Sequence, residues 1–288
     1  MKTILYATDC TKNDASALKY IYRFSCIMKA DLHIIHVYDL PPVSVSVVHR
    51  SEILKQNVNL ELKKVVINYC KEHLKHEYTD NGINIHAVEH ASVENGIVDL
   101  SKKLSPDLVV IGIKDQNSHR GIFSSNIANA LLDKIEIPIM MVPNGLIYTS
   151  ISTIIYATDF EKEDILPIKK LIEIVRPFKA LIEIVHIYRT DTTTAKEKME
   201  RFKEVFLEQI SYKEITFRTV ASTKVKSGLL SVIDNENASM LAMLERKHHL
   251  NFDNIFHKDL VKDLEDSIAV PILAFHKGSK AVENMLPV

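Results

Sequence analysis

The chain has 288 residues, which is enough for two domains with a sizeable core in each. Its 36 basic residues nearly balance its 37 acidic residues, so the net charge of −1 excludes binding of nucleic acid or of an anionic membrane through bulk positive charge. Three cysteines form no CxxC pair, and no apolar run reaches the roughly 18 residues of a membrane span. We therefore expect a cytoplasmic protein without a disulfide framework.

The first half of the chain alternates apolar runs with amphipathic stretches. This alternation predicts parallel strands joined by helical crossovers. Strands are expected at residues 3–8, 31–38, 83–89, 108–113 and 137–142. Helices are expected after the candidate caps Thr11, Asn13 and Asp14, over residues 52–75 and 94–104, and after the candidate caps Ser124, Ser125 and Asn126.

An internal repeat divides the chain. Residues 4–9 read ILYATD and residues 154–159 read IIYATD, an offset of 150 residues that continues through the next strand. Near the ends of the two copies, IPIMMVP at residues 137–143 matches VPILAFH at residues 270–276. The duplication predicts three parts, namely a first domain at residues 1–145, a second domain at residues 146–277 and a tail at residues 278–288.

A polar loop and the start of a helix follow the fourth strand. Lys114 and Arg120 carry positive charge in this loop, and Ser125 and Asn126 stand where the helix begins. The free N–H groups and the dipole of a helix N-terminus favour an anion. In open parallel sheets, ligands bind beyond the carboxyl ends of the strands where the strand order reverses. The sequence therefore predicts an anion site at this edge of the first domain.

This architecture resembles the universal stress protein family. The resemblance implies two tandem flavodoxin-like (adenine-nucleotide α-hydrolase-like) α/β domains, each with a five-stranded parallel sheet, helices on both faces and the strand order 3-2-1-4-5. ATP-binding members carry a glycine, two residues, a second glycine, nine residues and then Gly-Ser or Gly-Thr. Gly112 matches the first glycine, Asp115 stands at the second, and Ser125 and Asn126 stand at the final pair.

The resemblance also implies a cofactor and its contacts. In ATP-binding relatives, the residues that match Ala7, Asp9 and Val37 line the adenine and ribose pocket. Thr8 lies at the same edge of the sheet, and the loop after Gly112 is expected to hold the phosphates. The first domain is therefore expected to bind ATP weakly, and an empty or differently occupied cleft is the alternative.

Both copies depart from the ATP-binding pattern. In the first, Asp115 places a carboxylate beside the phosphates, and Lys114 and Arg120 offset this repulsion only in part. The matching loop of the second copy, residues 244–259, contains no glycine, and Asp159 is expected to do no more than cap the next helix. The glycine position falls there on Leu244 or Glu245, and the cleft is expected to be plugged by Leu250, Phe252, Ile255 and Phe256.

Histidines raise the question of a metal site. Two groups of ligand-type side chains occur, namely His248, His249 and His257 within the loop 248–257, and Cys70, His73 and His76 on one helix. Neither group has a recognised zinc spacing, so no metal site is expected. His36 and His186 end their strands at repeated positions and are expected to be structural.

Catalytic signatures are missing from the sequence, which contains no GxSxG, HExxH or Walker GK[ST] motif. The expected function is that of a non-enzymatic stress-response or signalling protein, with an adenine nucleotide and an unknown protein as partners. A slow ATPase and a structural partner-binding module without a ligand are the alternatives. The last strands of the two copies are expected to pair antiparallel, giving an intramolecular pseudo-dimer that can itself form a homodimer.

Overall fold

The computed structural model describes residues 1–39, 52–79, 82–113, 125–245, 264 and 267–276, with the backbone alone at residues 52–54 and 125–126. Lys114, Arg120, the histidine-rich loop 248–257 and the tail 278–288 lie outside the described residues. Within those residues, no helix is both long and apolar enough to cross a membrane.

The first of two compact units comprises residues 1–135 and 144–148. Its strands and helices alternate as β1 (Thr3–Ala7), α1 (Ala15–Met28), β2 (Asp31–Tyr38), α2 (Glu52–Leu74), β3 (Ile83–Glu89), α3 (Val93–Leu104), β4 (Leu108–Ile113) and α4 (Ser125–Lys134). The strands are parallel and lie in the order β3-β2-β1-β4. Helix α1 packs on α2 and helix α3 packs on α4, so one pair covers each face of the sheet.

The second unit comprises residues 136–143 and 149–288. Its elements are β5 (Ile139–Pro143), β6 (Thr153–Ala157), α5 (Ile165–Val175), β7 (Leu181–Tyr188), α6 (Thr192–Gln209), β8 (Ile215–Ala221), α7 (Val225–Asn235), β9 (Met240–Glu245) and β10 (Ile272–His276). They form a sheet in the order β5-β10-β9-β6-β7-β8. All neighbouring pairs are parallel except β5 and β10.

Strand β5 comes from the first repeat but belongs to the second unit. It runs antiparallel to β10, with Met140 opposite Leu273 and Met141 opposite Ile272. All four side chains are fully buried. The apolar run that ends each repeat is therefore explained by this strand pair, which buries both partners.

The register of the strands shows the duplication in three dimensions. Ala7 of β1 lies opposite Ile35 of β2, and Ala157 of β6 lies opposite Val185 of β7, 150 residues later in both cases. The chain leaves β1 toward β2 and β3 and then returns to the other side of β1 with β4. The prediction of two tandem flavodoxin-like domains is confirmed, and each has a topological switch point at its first strand.

Candidate functional site

The switch point of the first domain brings four of the proposed site residues to one edge of the sheet. Ala7 pairs with Ile111 of β4, so Thr8, which follows β1, lies level with Gly112 near the end of β4. Ala7 and Thr8 are buried, whereas Asp9 is partly exposed. This edge is where open parallel sheets place their ligands.

The loop after β1 is stabilised by hydrogen bonds between its own side chains and its backbone. The Asp9 Oδ1 atom accepts a hydrogen bond of 2.8 Å from the Thr11 N–H, and the Thr8 hydroxyl oxygen accepts one of 2.9 Å from the Cys10 N–H. Cys10 adopts a left-handed conformation with φ of 57°. His36 Nδ1 lies 3.1 Å from the Thr8 carbonyl oxygen, which supports the structural role expected from its position.

The second domain repeats two of these contacts and the backbone conformation. The Phe160 N–H donates to the Thr158 hydroxyl oxygen at 2.7 Å, and Phe160 also has a φ of 57°. His186 Nδ1 lies 2.8 Å from the Thr158 carbonyl oxygen. The loop geometry is thus a property of the repeat, and differences between the two sites come from the side chains that it presents.

A buried carboxyl group lies beneath the edge in each domain. The Tyr6 hydroxyl donates a 2.6 Å hydrogen bond to Asp14 Oδ2, and the Asp14 residue is only 4% exposed. Burial raises the pKa of Asp14 to about 7, although hydrogen bonds from Tyr6 and Thr8 act in the opposite direction. Sequence reasoning took Asp14 only as a candidate helix cap and missed this contact.

The same carboxyl group recurs in the second domain. The Tyr156 hydroxyl lies 3.0 Å from Asp164 Oδ1, and the Thr158 hydroxyl donates to Asp164 Oδ2 at 2.8 Å. Burial again raises the pKa of the carboxyl group to about 7. The signal was present in the sequence, because both copies place an aspartate eight residues after the tyrosine of YATD.

The expected helix caps are corrected by the structure. Neither Thr11 nor Asp14 makes a capping hydrogen bond through its side chain at the start of α1, because the Asp14 carboxyl group turns inward to Tyr6. In the second domain the short 3₁₀ turn before α5 is capped by Glu161, in a capping box with Asp164, and not by Asp159.

Packing around β4 explains the glycine at position 112. A Cβ atom at this position would lie 2.0 Å from Asp14 Oδ1 and 3.3 Å from the Cβ atom of Ala17. The bare backbone of β4 therefore makes room for the inward carboxyl group. In the second domain, Met243 lies opposite Ala157, as Ile111 lies opposite Ala7, so the matching residue is the buried Leu244 and not Glu245.

Val37, predicted to line the adenine pocket, is a packing residue in the structure. A Cβ atom at Gly96 of α3 would lie 2.9 Å from one Val37 methyl group and 3.0 Å from the other. The valine side chain is correspondingly buried, and Ile187 and Gly228 repeat the contact in the second domain. Close approach of the helix to β2 thus gives this apolar residue a packing role, and its contact with adenine stays a prediction.

Other proposed contacts are only partly placed. Ser125 and Asn126 are the first two described residues of α4. Their side chains, together with Lys114 and Arg120, lie outside the described residues. Among the residues that the structure does describe, no three histidine, cysteine, aspartate or glutamate side chains form a group that could hold a metal ion.

An aromatic side chain follows the first strand of the second domain. The Phe160 ring lies 5.1 Å from the His186 ring and 5.5 Å from the Phe202 ring, measured between centroids. Its counterpart in the first domain is the much smaller Cys10. The plug expected from Leu250, Phe252, Ile255 and Phe256 lies outside the described residues, whereas Phe160, which sequence reasoning missed, directly follows IIYATD.

The duplicated doubly wound sheet, with a topological switch point in each copy, defines a tandem α/β protein. The chain belongs to the universal stress protein family, since the model of that family matches residues 1–143. A comparison with curated proteins gave no significant match.

Solved structures share the fold over almost the whole chain. A universal stress protein from Archaeoglobus fulgidus DSM 4304 has a TM-score of 0.65 at 15% identity, covering 96% of both chains. A putative universal stress protein from Pseudomonas aeruginosa UCBPP-PA14 has a TM-score of 0.65 at 12% identity, covering 96% of this chain and 93% of the other. The cytoplasmic domain of a prokaryotic cation chloride cotransporter has a TM-score of 0.55 at 10% identity, covering 99% of both chains.

Proposed function

We propose that this protein is a non-enzymatic stress-response or signalling protein of the cytoplasm that binds an adenine nucleotide, ATP in the first instance, in its first domain only. The observation that carries the proposal is the difference between Cys10 and Phe160 on otherwise matching loops. Phe160 packs on His186 and Phe202, whereas the matching position in the first domain carries the smaller Cys10, which does not place a ring at this edge. Family membership supports the ligand class.

Residues at the first switch point supply the chemistry that a nucleotide needs. Asp9 is partly exposed, and its carboxylate can accept hydrogen bonds from ribose hydroxyls or from the adenine amino group. The start of α4 at Ser125 offers free backbone N–H groups to the phosphates, and Lys114 and Arg120 add positive charge from the loop. Binding is weak because Asp115 replaces a glycine of the motif.

Catalysis has no support at this edge. Burial raises the pKa of the Cys10 thiol to about 12, and it does the same for Cys70, so neither is a thiolate nucleophile near neutral pH. The buried Asp14 carboxyl group is held by Tyr6 beneath Gly112.

A slow ATPase and a partner-binding module without a ligand remain the competing functions. We also infer that pairing of β5 with β10 makes the chain an intramolecular pseudo-dimer, with a homodimer as the alternative.

ATP is expected to raise the melting temperature of the protein. For a dissociation constant of about 1 mM, about 10 mM ATP stabilises the folded state by about 1.4 kcal/mol. In a domain of this size, that free energy corresponds to a shift of roughly 3–5 °C. The measurement is thermal unfolding with and without ATP, accompanied by mass spectrometry of small molecules released from the purified protein.

Matched substitutions in the two domains test which domain binds ATP. Asp9→Ala should abolish the ATP-dependent increment in melting temperature, whereas Asp159→Ala, 150 residues later at the matching position, should leave it unchanged. Comparing increments removes the effect of either substitution on stability itself. Absence of any increment in the wild type would leave the partner-binding module as the function, and release of ADP and phosphate during incubation would establish the ATPase.

A further inference from the structure

Two histidine rings pair between β2 and the edge strand β3 of the first domain. His33 Nδ1 lies 2.9 Å from His86 Nε2, and the ring centroids are 5.1 Å apart at an interplanar angle of 12°. A nitrogen–nitrogen distance of 2.9 Å requires one N–H donor and one unprotonated acceptor. The contact therefore implies one proton shared between these two strands.

The second domain uses charged residues at the same two positions. Glu183 stands 150 residues after His33, and Arg218 lies opposite Val185 just as His86 lies opposite Ile35. The Arg218 guanidinium contacts Glu183 at 3.2 Å and Glu236 at 2.6 Å. An arginine stays protonated at any pH at which the protein folds. The two copies therefore hold the same strand pair with chemistries that differ in their response to acid.

The histidine bridge tolerates one added proton but not two. Whichever ring donates in the neutral pair, it can take up a proton on its outer nitrogen and continue to donate. A second proton must go to the accepting nitrogen, which removes the acceptor and leaves two stacked cations. Two charged side chains act on the pair. Asp31 on β2 favours protonation of His33, and Lys63 on α2 opposes protonation of His86.

Burial favours the neutral form of both rings. It lowers the pKa of His33, and it lowers the pKa of His86 to about 4 with smaller contributions from the His33 and Lys63 charges. A histidine whose pKa is lower in the folded state stabilises the fold above its unfolded pKa of about 6.5. That contribution is lost as the pH falls from this value toward the folded pKa.

We propose that the stacked His33–His86 pair is an acid-sensitive latch, which holds edge strand β3 on β2 while it shares a proton and releases the strand when both rings are protonated. The second domain has Glu183 and Arg218 in these places, and although burial raises the pKa of the Glu183 carboxyl group, this group loses its charge only in stronger acid. Mild acid thus opens the edge strand of the first domain and leaves β8 closed. The latch works without a nucleotide and is independent of the function proposed above.

Hydrogen exchange with mass spectrometry tests the latch on the intact chain. Protection factors, which are corrected for the direct effect of pH on exchange, are measured at about pH 7 and about pH 5.5, on either side of the ordinary histidine pKa and above the pH at which carboxyl groups titrate. The protection of residues 83–89 is expected to fall by about tenfold in acid, whereas that of residues 215–221 stays constant. Equal protection of residues 83–89 at both pH values would overturn the proposal.

Three variants separate the latch from general acid denaturation. The double substitution His33→Glu with His86→Arg copies the second domain and should abolish the acid response of β3. His86→Gln replaces one titrating ring with a neutral amide and should also abolish the acid response of β3. It serves as the test if the double variant does not fold. His76→Gln removes an exposed histidine of the same domain and should respond as the wild type does. An undiminished response in the first two variants, or its loss in the third, refutes the latch.

Discussion

Replacing Gly112 with valine is expected to destabilise the first domain by about 3 kcal/mol or more, as overpacking of a buried site does at its upper range. A Cβ atom at this position lies 2.0 Å from Asp14 Oδ1, so the buried carboxyl group must turn and thereby strain its hydrogen bond from the Tyr6 hydroxyl, and the larger valine adds two further methyl groups to a packed strand. Chemical denaturation followed by circular dichroism measures the loss. Failure of this variant to bind ATP would therefore report unfolding and would not identify a phosphate contact.

A double-mutant cycle tests whether the Asp14 contact is the reason for the glycine. Gly112→Ala introduces the Cβ atom, and Asp14→Ala removes the side-chain acceptor of the Tyr6 hydroxyl, leaving only the 3.3 Å contact with the backbone carbonyl oxygen of residue 14, at a cost of about 1–3 kcal/mol. In the double variant, the added methyl group occupies space that the carboxyl group has vacated. The cost of the double variant should fall below the sum of the single costs by about 1–2 kcal/mol. If the two single costs simply add in the double variant, contact with the Asp14 carboxyl group is not the reason for the glycine.

The order of strands and helices was predictable because the repeat and the hydrophobic pattern agree. A fully apolar run such as Leu108–Ile113 forms a strand buried on both faces, and the match between residues 4–9 and 154–159 transfers each assignment from one copy to the other. Element ends were less predictable. The strand expected from residue 137 begins at Ile139, after a proline that cannot donate to a strand partner.

The candidate site was predictable in position but not in detail. The switch-point rule placed Thr8 and Gly112 together, because it depends only on strand order. It could not show that the Asp14 carboxyl group occupies the space beside Gly112, since cap preference is a local rule and burial against Tyr6 is a tertiary contact. The role of Phe160 was visible as a difference between ILYATDC and IIYATDF, yet the motif that it follows drew attention to the aspartate.

Replacing Met140 with proline is expected to destabilise the second unit by about 3 kcal/mol or more. Met140 lies in the middle of β5 opposite Leu273, and both side chains are fully buried. Proline removes a backbone donor from the strand and fixes its φ angle, so the antiparallel pair with β10 loses its central residue. Thermal unfolding of the variant should show a lower melting temperature in the transition that includes β10.

The matched control for this substitution is Met140→Leu, which keeps the volume and the backbone N–H group and should cost less than about 1.5 kcal/mol. A difference between the two variants therefore isolates the backbone pairing from the packing of the side chain. Hydrogen exchange at residues 272–276 should rise in the proline variant and not in the leucine variant, because β10 pairs with β5 on one side and with β9 on the other. An unchanged melting temperature in the proline variant would contradict the pairing and, with it, the proposed pseudo-dimer. A loss confined to β5 and β10 would show that this strand pair joins the end of the first repeat to the core of the second.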